Sequence, residues 1–304
     1  MLNDRLKNYL HLHFLVFIAG FTAILGQLIT INAVPLVWFR MLIASVLIFI
    51  YVKVAKINIK ISLKSVLKLS VAGIVIALHW ITFFGAIDAS NVSITLAVFS
   101  SGTFFASIIE PIIYKRRIIW YEIFFGIFVI LGVLVITQSE IAYIKGIILG
   151  ILAAFFSSLF AVLNGSFLKQ HTATVISFYE FISGVIFITF FILIFEGGFS
   201  LQFFNLSGID FWYLFILGSI CTAYAFIAAI YVMRHISPYT VVLTYNLEPI
   251  YGIIIAIILF PEKEKMSPNF YYGASIIIIT VLLNAVLKNM RKLKKKTFLG
   301  FKQN

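Results

Sequence analysis

Ten windows of about 18 to 23 residues, almost free of charge, follow one another along this chain: 10–31, 34–52, 69–87, 92–114, 118–138, 146–168, 174–195, 211–233, 239–260 and 270–287. An α-helix needs roughly 20 mostly apolar residues to cross a bilayer, so each window is long enough to span one. Of the 304 residues 62% are hydrophobic and only 11% charged, which excludes an ordinary soluble domain. The expected fold is an all-α membrane protein of ten transmembrane helices. The first window follows Arg5 and Lys7 and could be read as a secretory signal, but its full span length argues for a retained helix.

Against that background the net charge of +12, from 23 Lys and Arg and 11 Asp and Glu, is a question of location. Two basic residues precede the first window. Others fill the even-to-odd connections: five between Lys53 and Lys68, then Lys115, Arg116 and Arg117, then Lys169, then Arg234. Seven more lie between Lys288 and Lys302, and the opposite face has only Lys145, Lys263 and Lys265. Basic residues mark the cytoplasmic loops of multi-pass proteins, so this alternation predicts cytoplasmic termini and an even number of spans. The charge thus reports orientation. The partner expected is the lipid bilayer, with the basic tail at 289–304 read as a juxtamembrane anchor for the last helix, and not nucleic acid.

Chemistry of the enzymatic or metal-binding kind finds little material. The one cysteine, Cys221, permits no intramolecular disulfide. The five histidines are His11, His13, His79, His171 and His235, scattered, with only His79 deep inside a window. His11 and His13, two apart, do not share a helical face. No catalytic residue, cofactor or metal is expected, and the chain reads as a non-enzyme.

Five windows lie before Gly146 and five after, and an odd number of helices per unit makes any repeat inverted across the membrane. The units are 10–138 and 146–288, followed by the tail at 289–304. A shift of 147 sets Ser90 on Ser237, Leu96 on Leu243, Gly102 on Pro249 and Gly126 on Gly273. The few identities prove nothing alone; the shared order of helix, charged turn and glycine-bearing helix carries the case. Small residues three or four apart, from Gly146 through Gly150, Ala154, Ser158 and Ala161 to Gly165, predict close helix packing or a smooth cavity wall. Gly218, Thr222, Ala225 and Ala229 make a second such stripe.

In a chain that keeps charge out of its spans, the exceptions are informative, because an ionisable group in hydrocarbon costs several kcal/mol and needs a partner or water. They are Arg40, Glu110, Glu180 and Glu248, with His79 as a titratable neighbour. Glu248 falls near mid-membrane, Glu110 and Glu180 nearer the basic face, and Arg40 nearer the other. Glu248 stands between Tyr245-Asn246-Leu247 and Pro249, whose ring breaks a helix and frees the carbonyl of Tyr245. Broken helices at mid-depth are where transporters bind solutes. Glu248 therefore reads either as a proton-coupling or solute-contacting group, or as a carboxyl hydrogen-bonded inside the bundle. Arg40 and Glu180 occupy comparable places in their repeats, as a structural or gating pair or as ligand contacts; Glu110 is grouped with them. His79-Trp80, Ser101 in the run Ser100-Ser101-Gly102-Thr103, which reads as a polar notch or as packing hydroxyls, Asn164 and Tyr224 are further candidates.

The start of the second window, Pro35 to Arg40, resembles the EamA-type group of the drug/metabolite transporter superfamily. So do Ala77-Leu78-His79-Trp80 with Phe83-Phe84, then Leu247-Glu248-Pro249, Pro261-Glu262 and Gly273. The likeness runs over about 10–288. In the first half Gly102 replaces the proline usual in the fourth helix, and Lys115 replaces an acidic residue. The resemblance implies an inner-membrane secondary transporter that moves a small metabolite, an amino acid or similar, outward. Two inverted bundles would alternate access to a central cavity, as a monomer or homodimer, with a coupling proton as a further partner. A non-transporting scaffold or assembly protein is the alternative.

Overall fold

The computed structural model describes residues 4–232, 235, 236, 241, 244, 245 and 247–300. The described residues form helices joined by short connections, with no strand among them. Twelve α-helices are described: α1 Asp4–Leu28, α2 Ala33–Val54, α3 Leu63–Ala89, α4 Val92–Phe99, α5 Gly102–Tyr114 and α6 Trp120–Ser139, then α7 Ile144–Phe167, α8 Ala173–Phe195, α9 Gly208–Gly218, α10 Ala225–Val232, α11 Glu248–Leu259 and α12 Pro268–Gly300. Eight spans are long and apolar enough to cross a membrane, α4 with α5 and α9 with α10 each forming one. The shorter apolar helices Glu248–Leu259 and Pro268–Asn284 complete ten. Their outward faces carry bare apolar side chains, such as Leu131, Phe190 and Ile194, suited to lipid.

Local chemistry sets the breaks. Asn91 caps α4 by accepting from the backbone N–H of Ile94, and Ser62 and Ser207 cap α3 and α9 in the same way. The fourth span bends at Ser100 and Ser101. The eighth contains a π-helical turn, Ser219–Tyr224, in which the hydroxyl of Thr222 donates to the carbonyl of Leu217 at 2.6 Å. Pro249 lies in the first turn of α11, where the missing N–H breaks no bond, and not in a helix interior as the sequence had implied. Under the shift of 147 Gly102 answers Pro249, and both stand in the opening turn of a restarted helix. The last helix runs without a break from Pro268 to Gly300, so the basic tail at 289–304 begins as its continuation.

Packing follows an inverted two-fold scheme. α1 lies on α11 as α7 lies on α4 and α5; α3 lies on α8 as α9 lies on α2; α2 with α8, α4 with α11 and α6 with α12 are self-matching pairs. Glycines mark the crossings. A Cβ on Gly20 would come within 3.1 Å of the carbonyl oxygen of Glu248, and one on Gly252 within 3.3 Å of that of Gly20. Where α6 crosses α12 the contact is reciprocal, Gly132 against Gly273 and each against the isoleucine four residues beyond the other. In this helix pair the reciprocal contact thus aligns Gly273 with Gly132, six residues from the Gly126 that the shift of 147 sets on it.

Candidate functional site

One cavity of about 310 Å³ lies between the repeats, walled by α1, α3, α5, α7, α10 and the start of α11, with Arg40 of α2 and Cys221 of the π turn. Its lining reaches Tyr114, the last residue of α5, Gly165 near the end of α7 and Ile230 near the end of α10. These are the helix ends that carry the basic loops. On the other side the lining stops at Thr22, Arg40, Phe83 and Phe99, six or seven residues from the relevant ends of α1, α2, α3 and α4. At 1.5 Å per residue about 10 Å of packed protein closes that face. The cavity is thus open toward the basic face.

Three carboxylates tie the repeats together on the closed side. Both oxygens of Glu264, which is 1% exposed, accept from backbone N–H groups at the start of α4, Val92 at 3.1 Å and Ser93 at 2.9 Å. Asp210 accepts from the backbone N–H of Thr30 at 2.9 Å and from its hydroxyl at 2.6 Å. Glu140 accepts from the backbone N–H of Ser267 at 2.9 Å. Each bond crosses from one repeat to the other, and helix N-termini favour such negative partners.

Within the cavity Arg40 is held from two directions. Its Nε donates to the Thr222 hydroxyl at 2.6 Å and its Nη2 to the Cys221 carbonyl at 3.3 Å, both presented by the π turn. Its guanidinium carbon lies 4.0 Å from the centroid of the Trp80 ring, a cation–π contact. Nη1 is buried and unpaired. Glu248, 9% exposed, shares this cavity and forms no hydrogen bond or ion pair within 4 Å among the described residues. Around both residues His79, Phe83, Phe99, Phe160 and Phe226 make an aromatic wall. His79 Nδ1 lies 2.9 Å from the carbonyl of Ala153, which can only accept, so that nitrogen carries the proton.

Of the residues singled out from the sequence, Glu248, His79, Trp80, Asn164, Tyr245, Arg40, Glu110 and Pro249 line the cavity. Asn246 lies outside the described residues. Ser101 does not line it: its hydroxyl is buried without a partner, whereas Ser100 and Thr103, on the helical stripe that continues through Ser107, Glu110 and Tyr114, do. Tyr224 is turned outward by the π turn, 45% exposed, with its hydroxyl 2.7 Å from His11 Nε2. Glu180 is sealed beside the cavity. Its Oε2 accepts from Asn164 at 3.4 Å, so the pairing of Arg40 with Glu180 is not made. Glu110 pairs with Arg116 at 2.9 Å near the mouth.

Several lining residues escaped the sequence reading. Glu122 and Asn284 look like boundary polar groups at the ends of their spans, yet both reach the cavity. The small-residue stripe of α7 does both things expected of it. Gly146 and Gly150 pack on Ser90 and Val98, whereas Ala161 and Gly165 form cavity wall. Ser158 joins the halves by donating to the Gly102 carbonyl at 2.6 Å.

A family model described as the EamA-like transporter family matches residues 7–138 and 144–286. No curated protein matches. Among 27 matching chains of solved structures, one titled "Crystal structure of protein" is 13% identical, with the alignment covering 93% of this chain and 99% of that one at a TM-score of 0.65. At that identity the likeness is one of fold alone.

Proposed function

The chain belongs to the EamA-like transporter family, and from that premise we propose that it exports a small metabolite, an amino acid or similar, by alternating access. The observation that carries this reading is the aromatic cavity between the repeats, open toward the basic face, with Arg40 and Glu248 both in its wall. By the positive-inside rule we read the basic face, with both termini and the cavity mouth, as cytoplasmic, and the family resemblance supports the inner membrane as its location.

Opposite charges in one low-dielectric cavity suit a solute with both an anionic and a cationic or protonatable group, and the rings suit an apolar body. Glu248, which forms no hydrogen bond among the described residues, is the group assigned to solute contact or to proton exchange. A scaffold would gain nothing from a cavity lined by an arginine and a carboxyl.

The test is uptake into liposomes with purified protein, screened over a metabolite library, for the parent chain and Glu248→Gln. A carboxyl that takes up a proton on one side and loses it on the other makes transport depend on pH, and an amide cannot titrate. Loss of transport, or a flattened pH profile, is expected. Unchanged rate and pH dependence would remove Glu248 from the mechanism.

A further inference from the structure

Arg40 and Glu180 hold equivalent places in the two repeats. Each lies seven residues past the first residue of its helix, Ala33 of α2 or Ala173 of α8. Each has its backbone carbonyl covered by a glycine of the other repeat, Gly218 of α9 against Arg40 and Gly73 of α3 against Glu180. Their surroundings differ. Arg40 stands at the closed end of the cavity, with Nη1 unpaired. Glu180 has no exposure, and its Oε1 is unpaired. Its neighbour Asn164 lines the cavity and also leaves its Oδ1 unpaired. A buried polar atom without a partner is unfavourable, more so if charged, so this arrangement gains from a second state that satisfies it.

Inverted repeats open a cavity to the other side by exchanging conformations, each helix taking the setting of its counterpart. We propose that Glu180 replaces Arg40 at the closed end of the cavity when the protein opens to the opposite face. This rests on the transport reading and adds to it an exchange of wall charge. Depth agrees with the exchange. Arg40 lies about 10 Å inside the face that is now closed, and Glu180 the same distance inside the face that is now open. A solute with an anionic group meets the free Nη1 when it enters from the basic face and a carboxylate when it leaves, so the swap drives release outward.

The test is labelling, which needs no solute. Cys221, the native cysteine, is replaced by alanine and a single Glu180→Cys or Arg40→Cys is introduced. Sealed proteoliposomes are treated with a membrane-impermeant thiosulfonate from the face opposite the basic loops. The comparison is between this background and one that also carries Asp210→Asn and Glu264→Gln, which weaken the bonds closing that face. The expected result is labelling of Glu180→Cys roughly tenfold faster in the weakened background, with Arg40→Cys slowed from the basic face. Glu180→Cys that stays unreactive, while Leu201→Cys in the exposed turn before α9 labels normally, would overturn the proposal. Should the cysteine variants fail to fold, a hydrophilic carbodiimide with an amine, applied to the unsubstituted chain and read by mass spectrometry, must modify Glu180. Unmodified Glu180 beside modified Glu196 of the same connection counts against it. Labelling without any transport leaves the exchange standing and removes the transport reading; transport without labelling does the reverse.

Discussion

Gly132 and Gly273 meet where α6 crosses α12, and a Cβ built on either would lie 2.8 Å from the carbonyl oxygen of the other. The contact is its own partner under the repeat symmetry, so it marks where the local axis passes. Alanine at either position must push the two helices apart, because besides that carbonyl each Cβ would meet an isoleucine Cγ1, of Ile277 at 2.5 Å for Gly132 and of Ile136 at 2.8 Å for Gly273. Gly132→Ala should destabilise by about 1–3 kcal/mol, as over-packing does. Thermal unfolding in detergent checks this against Gly208→Ala, where nothing lies within 4 Å and no such loss is expected.

Arg40 should not tolerate lysine. The Nε bond to Thr222 and the flat stack on Trp80 belong to a guanidinium, and an ammonium reproduces neither. Each contact contributes on the order of 1 kcal/mol, so Arg40→Lys should lower uptake by roughly tenfold. Uptake normalised to folded protein by size-exclusion chromatography reads this.

Glu264 closes the N-terminus of α4 with both oxygens. Glu264→Ala strands two buried N–H groups and should cost about 1–2 kcal/mol in unfolding free energy, with Glu264→Gln intermediate because one carbonyl oxygen remains. Both should also raise hydrogen exchange at Val92 and Ser93 relative to the parent. Exchange unchanged at those amides would mean that the carboxylate does not hold this end.

Tyr224→Phe should leave uptake within twofold of the parent. Its hydroxyl reaches His11 outside the cavity, so the expected cost is only the net worth of one exposed hydrogen bond, about 1 kcal/mol or less. A large drop in uptake would return Tyr224 to the site.

The sequence by itself determined ten spans, an inverted pair of repeats and family membership, because length, loop charge and motif order are read along the chain. It also singled out the buried ionisable groups, since charge in hydrocarbon is conspicuous wherever it falls. Only the tertiary structure decided which way each group points. These helices are apolar all round, so no polar stripe betrays the inward face. Where the eighth span takes one extra residue per turn at Thr222, the face shifts by about 100° and local spacing misleads. Tyr224 therefore leaves the cavity, while in the fourth span Ser100 lines it and Ser101 does not. The contacts of Asp210 and Glu264 with Thr30 and Val92 join residues about 170 or more apart in the chain, a distance at which sequence spacing carries no geometric information.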